Sequence, residues 1–92
     1  MNEKPKKVLA IFDQKDSDVV DHLTVVLDFV ELDGYYDMLA MGDDVTSPQG
    51  FFQSTSGQYS PKAKNKHLGT KINWEDLDDA HQKAVISYFS ED

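Results

Sequence analysis

The 92-residue sequence predicts a small α+β domain, with a single-layer sheet of two to four strands and two amphipathic helices in the order β-α-β-(β)-α. Three observations support this class. A short apolar run covers residues 8–12, an apolar stripe with helical spacing lies within residues 17–32, and a second stripe with capping residues follows residue 72. A mostly α fold is the alternative, because short apolar runs also fit buried helices.

The chain length favours one domain, since two separate cores of this size would each be too small. Residues 1–6 are polar and charged around Pro5, and we expect a flexible basic tail there. Residues 7–92 then form the single α+β domain. The apolar run after the tail is too short for a signal peptide, and no run approaches the roughly 20 residues that cross a bilayer. We therefore expect a cytoplasmic protein without membrane contact, in a bacterium or a phage-infected host cell.

The first strand is predicted at Val8–Phe12, where bulky apolar residues are bounded by Lys7 and Asp13, and a short helix starting at Pro5 is the alternative. The first helix is predicted at Ser17–Leu32, with Ser17 or Asp16 as its N-cap and Gly34 as its C-terminal glycine. Its apolar stripe consists of Val19, Val20, Leu23, Val26, Leu27 and Val30.

Residues 35–41 predict a further strand, closed by Gly42 and two aspartates, with a helix as the alternative. Residues 43–70 are polar, but an unstructured connection of that length would be unusual, so we expect at least one strand within them. The C-terminal helix is predicted to begin at Asn73 as N-cap, with Asp76 completing a capping box. Its apolar stripe consists of Leu77, Ala80, Ala84, Val85 and Tyr88.

The charge is the most informative feature of the sequence. The formal net charge is −8, the chain has no arginine, and Asp outnumbers Glu by 13 to 4. Residues 8–60 carry ten acids against Lys15 alone, whereas residues 61–72 carry four lysines and no acid. An acidic surface repels phosphate backbones and attracts basic surfaces, so direct nucleic-acid binding is not expected. The sequence assigns no role to the basic segment from Lys62 to Lys71.

Motifs for chemistry are missing from the sequence. It contains no cysteine, no phosphate-binding glycine loop and no His-x-x-x-His pair, so we expect no enzyme activity, catalytic residue, metal site or cofactor. Val8–Asp13 resembles the nucleophile strand of haloacid-dehalogenase-type phosphatases, but Lys15 stands where that family has its second aspartate. His22 is expected at the surface beside charged neighbours, and His81 half-buried.

The leading functional hypothesis is an acidic inhibitor that occupies the basic nucleic-acid-binding site of a partner enzyme. In composition the chain is similar to phage-encoded nucleic-acid mimics that inhibit restriction or other host defence enzymes, and to acidic immunity proteins that neutralise nucleases. Short aspartate side chains form a stiff array that can replace phosphates.

The alternative is a non-catalytic adaptor or structural domain whose acidity serves solubility only. A homodimer is a further expectation, because pairing two copies would lengthen the acidic surface. The expected partner-binding residues are Asp16, Asp18, Asp21, Asp28, Glu31, Asp33, Asp37, Asp43, Asp44, Glu75, Asp76, Asp78 and Asp79.

Overall fold

The computed structural model describes residues 2–14, 22–30, 35–43, 51–57, 59–60, 62 and 65–90. Their main elements are β1 (Val8–Asp13), β2 (Leu23–Val30), β3 (Tyr36–Met41), β4 (Phe51–Gly57), β5 (Thr70–Ile72) and α1 (Asp79–Ser90). Short 3₁₀ turns lie at Lys66–Leu68 and Trp74–Asp76. The five strands form one antiparallel sheet in the order β4-β3-β2-β1-β5, so β1 to β4 are a meander and β5 returns beside β1.

The predicted fold class with two helices is wrong, and so is the mostly α alternative. The described part of the chain is mostly β, with α1 as its one α-helix. The helix predicted at Ser17–Leu32 is replaced over Leu23–Val30 by β2, a central strand paired to β1 and β3. Val25 and Val26 are both fully buried although they point to opposite faces, because each face of the sheet is covered. Burial on both faces removes the alternating pattern that identifies a one-sided strand.

Each face of the sheet has its own core. On one face, α1 brings Val85 into a cluster with Val25 and Leu39. On the other face, Leu68 and Tyr59 pack with buried residues of the three central strands. Those residues are Ala10, Phe12, Val26 and Met38. Tyr59 and Leu68 therefore help to cover the face of the sheet opposite α1.

Other local predictions are confirmed. The strands expected at 8–12 and 35–41 are β1 and β3, and β4 is a strand within the polar stretch 43–70. The backbone N–H of Asn73 donates to the Asp76 carboxylate at 2.8 Å, half of the predicted capping box. The predicted start of the C-terminal helix at Asn73 is wrong, because this box begins the 3₁₀ turn and α1 starts later, at Asp79.

The N-terminal segment contacts the region where α1 begins. The Asn2 amide donates to the Asp79 carboxylate at 2.8 Å, and the indole N–H of Trp74 donates to the Asn2 carbonyl at 2.8 Å. The boundary predicted at residue 7 stays a prediction.

Within the described ranges, no helix is long and apolar enough to cross a membrane.

Gly69 makes the close approach between β1 and the 3₁₀ turn possible. Its φ is +96°, and a Cβ at this position would lie 2.5 Å from the carbonyl oxygen of Asp13. The neighbouring Gln14 side-chain amide donates to the His67 carbonyl. A side chain at residue 69 would therefore be strained and would push β1 and this turn apart.

We expect Gly69→Ala to lower the free energy of unfolding by about 1–3 kcal/mol, because it combines an unfavourable φ with a backbone clash. Urea denaturation monitored by circular dichroism measures the change. The control is Lys66→Ala, an exposed replacement in the adjacent turn, which should change stability by less than about 0.5 kcal/mol. Equal stability of Gly69→Ala and wild type would contradict the described approach.

Candidate partner-binding surface

One end of the sheet collects aspartates from several elements. β1 ends at Asp13, β2 begins directly after His22, and β3 is followed by Gly42 and Asp43. Antiparallel pairing brings these termini together, as the register pairs Asp13 with Leu23 and Leu23 with Met41. The start of α1 is joined to the same end through His81. We call this region, defined by Asp13, Asp43, Asp78 and Asp79, the acidic end.

His22 lies between two carboxylates of the acidic end. Its Nδ1 is 2.7 Å from an Asp13 carboxylate oxygen, and its Nε2 is 2.6 Å from one of Asp43. Burial lowers the pKa of His22, but the hydrogen bonds with Asp43 and Asp13 and their negative charges outweigh it, so the pKa is raised above its ordinary value of 6.5. Both nitrogens donate at once only in the imidazolium form.

His81 has a similar arrangement but is buried. Its Nδ1 is 2.6 Å from an Asp78 carboxylate oxygen, and its Nε2 is 2.8 Å from the carbonyl oxygen of Gly42. The same Asp78 oxygen accepts the backbone N–H of His81 at 2.8 Å. The hydrogen bonds from the backbone and the ring of His81 hold the pKa of Asp78 below its ordinary value. Asp78 is therefore ionised at neutral pH.

The two histidines hold consecutive residues after β3. His81 of α1 contacts the carbonyl of Gly42, and His22 contacts the side chain of Asp43. His22, which directly precedes β2, also contacts Asp13 at the end of β1. The hydrogen bonds of the two histidines therefore connect the ends of β1, β2 and β3 with the start of α1. The position of the Asp43 carboxylate is thus set by hydrogen bonds and not by β3 alone.

Three carboxylates of the acidic end are hydrogen-bonded and also exposed. The exposed side-chain fractions are 94% for Asp43, 66% for Asp78 and 68% for Asp79. Asp79 accepts hydrogen bonds from Lys83 at 3.0 Å and from Asn2 at 2.8 Å, and both lower its pKa. The three side chains present oriented negative charges to solvent.

The structure brings together only some of the predicted partner-binding residues. Asp43, Asp78 and Asp79 belong to the acidic end, and Glu75 and Asp76 lie exposed in the preceding 3₁₀ turn. Asp28 lies exposed towards the other end of β2, and Asp37 is half-buried in β3. The remaining predicted acids fall outside the described residues; they are Asp16, Asp18, Asp21, Glu31, Asp33 and Asp44.

Sequence reasoning missed Asp13, His22 and His81 as parts of this arrangement. His22 was assigned to a helix, which places it beside Asp18, whereas the structure pairs it with Asp13 and Asp43. His81 is buried, more so than predicted. The sequence does contain a signal for the contact between Asp13 and His22, because Asp13 directly follows one apolar run and His22 directly precedes another. Had both runs been assigned to one antiparallel hairpin, these two residues would have been predicted as neighbours.

The geometry around His22 is that of a structural ion pair. The two carboxylates lie on opposite sides of the ring, one at each nitrogen, so the three groups do not converge on one point. Within the described ranges, no group of three or more histidine and acidic side chains is placed to hold a metal ion. Both nitrogens of His22 are engaged, which leaves neither available as a general base.

Comparison of the chain with protein-family models, curated proteins and solved structures finds no match. The case for function therefore rests on the chemistry of the acidic end.

The raised pKa of His22 predicts a pH-dependent stability. The contribution of His22 to the free energy of unfolding is fully present below pH 6.5 and is lost as pH rises through the higher folded-state pKa. We expect His22→Gln to be less stable than wild type at pH 6 and to lose less stability as pH rises above 6.5, because glutamine cannot donate as a cation to both carboxylates. Urea denaturation across this pH range measures both effects.

The matched control is His67→Gln, which replaces an exposed histidine and leaves Asp13 and Asp43 unchanged. It should keep the wild-type loss of stability above pH 6.5. The interpretation fails if His22→Gln and wild type show the same pH profile.

Proposed function

We propose that this protein is an acidic inhibitor that binds the basic nucleic-acid-binding surface of a partner enzyme through its acidic end. The observation that carries the proposal is that Asp43, Asp78 and Asp79 are each oriented by hydrogen bonds while most of each side chain stays exposed. Carboxylates fixed in this way resemble the charge arrangement of phosphates more closely than freely rotating ones would.

The energetic argument is preorganisation. A side chain that is already ordered loses less conformational entropy when it meets a partner. The hydrogen bonds to Asp78 and Asp79 also lower their pKa values, so both remain charged when they contact cations. Net charge adds a long-range effect, because a charge of −8 increases the rate of association with a basic cleft.

The sequence adds further acids next to this end. Asp16, Asp18 and Asp21 lie in the chain between Gln14 and His22, and Asp44 directly follows Asp43. Glu75 and Asp76 precede Asp78 in the chain and are exposed. Of the carboxylates that the structure describes, those of Asp43, Asp78 and Asp79 are exposed at the acidic end, where a cationic partner would meet them.

The second candidate is an adaptor or structural domain whose acidity maintains solubility. It is supported by the local contacts of the same acids, since Asp76 caps the 3₁₀ turn and Asp79 pairs with Lys83. The two candidates differ in one measurable property. Binding through the acidic end depends steeply on salt, whereas solubility alone requires no partner.

The test uses the immobilised protein and a bacterial lysate loaded at low salt, with elution by a salt gradient or by duplex DNA. The proposal requires a nucleic-acid-binding enzyme that elutes early in the gradient and that duplex DNA displaces. The purified enzyme should then bind Asp43→Asn/Asp79→Asn about two- to thirtyfold more weakly than wild type, since each exposed charge pair contributes about 0.2–1 kcal/mol. Both substitutions keep the size of the side chain.

The control variant is Glu91→Gln/Asp92→Asn, which removes the same charge from two residues after α1 that are not predicted to bind. It should bind like wild type. If both double variants bound the enzyme equally weakly, the loss of affinity would be due to net charge and not to the acidic end. Retention of no protein, or of one insensitive to salt and DNA, would leave solubility as the role of the acids.

A further inference from the structure

Of the side chains that the structure describes, the exposed large hydrophobic ones lie at the opposite end of the sheet. Among the described residues they are Leu9, Phe29, Val30 and Tyr35, with exposed fractions of 38%, 57%, 50% and 39%. Leu9 is near the start of β1, Phe29 and Val30 end β2, and Tyr35 precedes β3. Antiparallel pairing places these positions at one end of the sheet. Val8, next to Leu9, pairs with Leu27 of β2, and Val30 pairs with Tyr36, next to Tyr35. We call these four residues the apolar end.

Two backbone irregularities coincide with this exposure. Between the pairs Val26–Met38 and Val30–Tyr36, β2 has three residues where β3 has one. Between the pairs Val8–Leu27 and Ala10–Val26, β1 has Leu9 as one extra residue. Such bulges bend a strand and redirect its side chains. Leu9 is the extra residue of β1 and Phe29 lies in the three-residue interval of β2, so both exposed side chains stand where the regular strand pairing is interrupted.

Charges of both signs adjoin the apolar end. Lys6 and Lys7 are exposed in the turn closed by the hydrogen bond from the Val8 N–H to the Pro5 carbonyl. The Asp28 N–H donates to the Lys7 carbonyl at 2.6 Å, so an exposed acid lies directly beside this basic turn. The acidic end also has an exposed lysine, Lys83 beside Asp79, but it exposes three carboxylates, those of Asp43, Asp78 and Asp79.

We propose that the apolar end is an interface with a second copy of this chain. A two-fold interface requires a surface that is complementary to itself, and an apolar centre with lysine and aspartate at its edge meets this requirement. Rotation about the two-fold axis can bring Asp28 of one copy towards Lys6 or Lys7 of the other. Two acidic ends would repel each other, so they would point away from the contact. The inference does not rest on the proposed enzyme partner.

The charge of the whole chain predicts the salt response of this association. Two copies with a net charge of −8 repel each other at long range, and salt screens that repulsion. Contact between apolar side chains is not weakened by screening. Self-association should therefore become stronger with added salt, whereas binding of a basic partner to the acidic end should become weaker. The two responses separate this proposal from the proposed function.

The experiment is sedimentation of the purified full chain over a concentration series, at low and at moderate salt. We expect a monomer–dimer equilibrium whose dissociation constant falls with salt. Phe29→Ser should raise that constant at least about tenfold, since the change removes apolar contact from both copies. Val30→Thr, which keeps a β-branched side chain, should raise it less. Ala80→Ser, which adds the same hydroxyl at an exposed position of α1, is the control and should leave it unchanged.

Circular dichroism establishes whether each variant is folded. If Phe29→Ser does not fold, the dissociation constant of Val30→Thr is the test of the proposal. A mass of 10.4 kDa at every concentration and salt would overturn the proposal. So would a dimer that both variants leave intact, since that contact would lie elsewhere. A monomeric wild type that captures another protein, which Phe29→Ser fails to capture, would assign the apolar end to a different partner and would also overturn it.

Discussion

The burial of β2 on both of its faces is the constraint on which the rest of the structure depends. Val25 faces the core that α1 covers, and Val26 faces the core that Leu68 and Tyr59 cover. Exposing either side would place a row of apolar side chains in water, at a cost that grows with the area exposed. Both coverings are therefore needed; in the described residues α1 contributes to one, and Tyr59 and Leu68 contribute to the other. The pairing of β1 and β3 with this strand then fixes the positions of the strand ends.

The antiparallel meander gives the two ends of the sheet different chemistry. At one end, Asp13 and His22 meet because neighbouring strands end and begin there. At the other end, the exposed Leu9 and Phe29 stand where the strand pairing is irregular. Since the strands are continuous between the ends, a partner could occupy either end without obstructing the other. A dimer formed through the apolar end would leave two acidic ends accessible.

The aspartates of the acidic end combine structural and surface roles. Asp78 anchors the start of α1 through His81, and His81 reaches the carbonyl of Gly42 after β3. Asp43 is held by His22 and is nevertheless almost fully exposed. A hydrogen bond to one oxygen of a carboxylate leaves its remaining acceptor sites for solvent or a ligand. Packing and charge display are therefore compatible in the same side chain.

The sequence by itself determined the features that depend on neighbours in the chain. These are the strands around residues 8–12 and 35–41, and the cap at Asn73 and Asp76. It could not identify β2, because apolar residues on both sides of a strand also fit a helical stripe, and only burial by other elements distinguishes the two. It could join Asp13 to His22, nine residues away, only if β2 were first recognised as a strand, and Asp43, 21 residues from that histidine, only through the pairing of β2 with β3. Tertiary structure decided both, because pairing and burial depend on residues far apart in the chain.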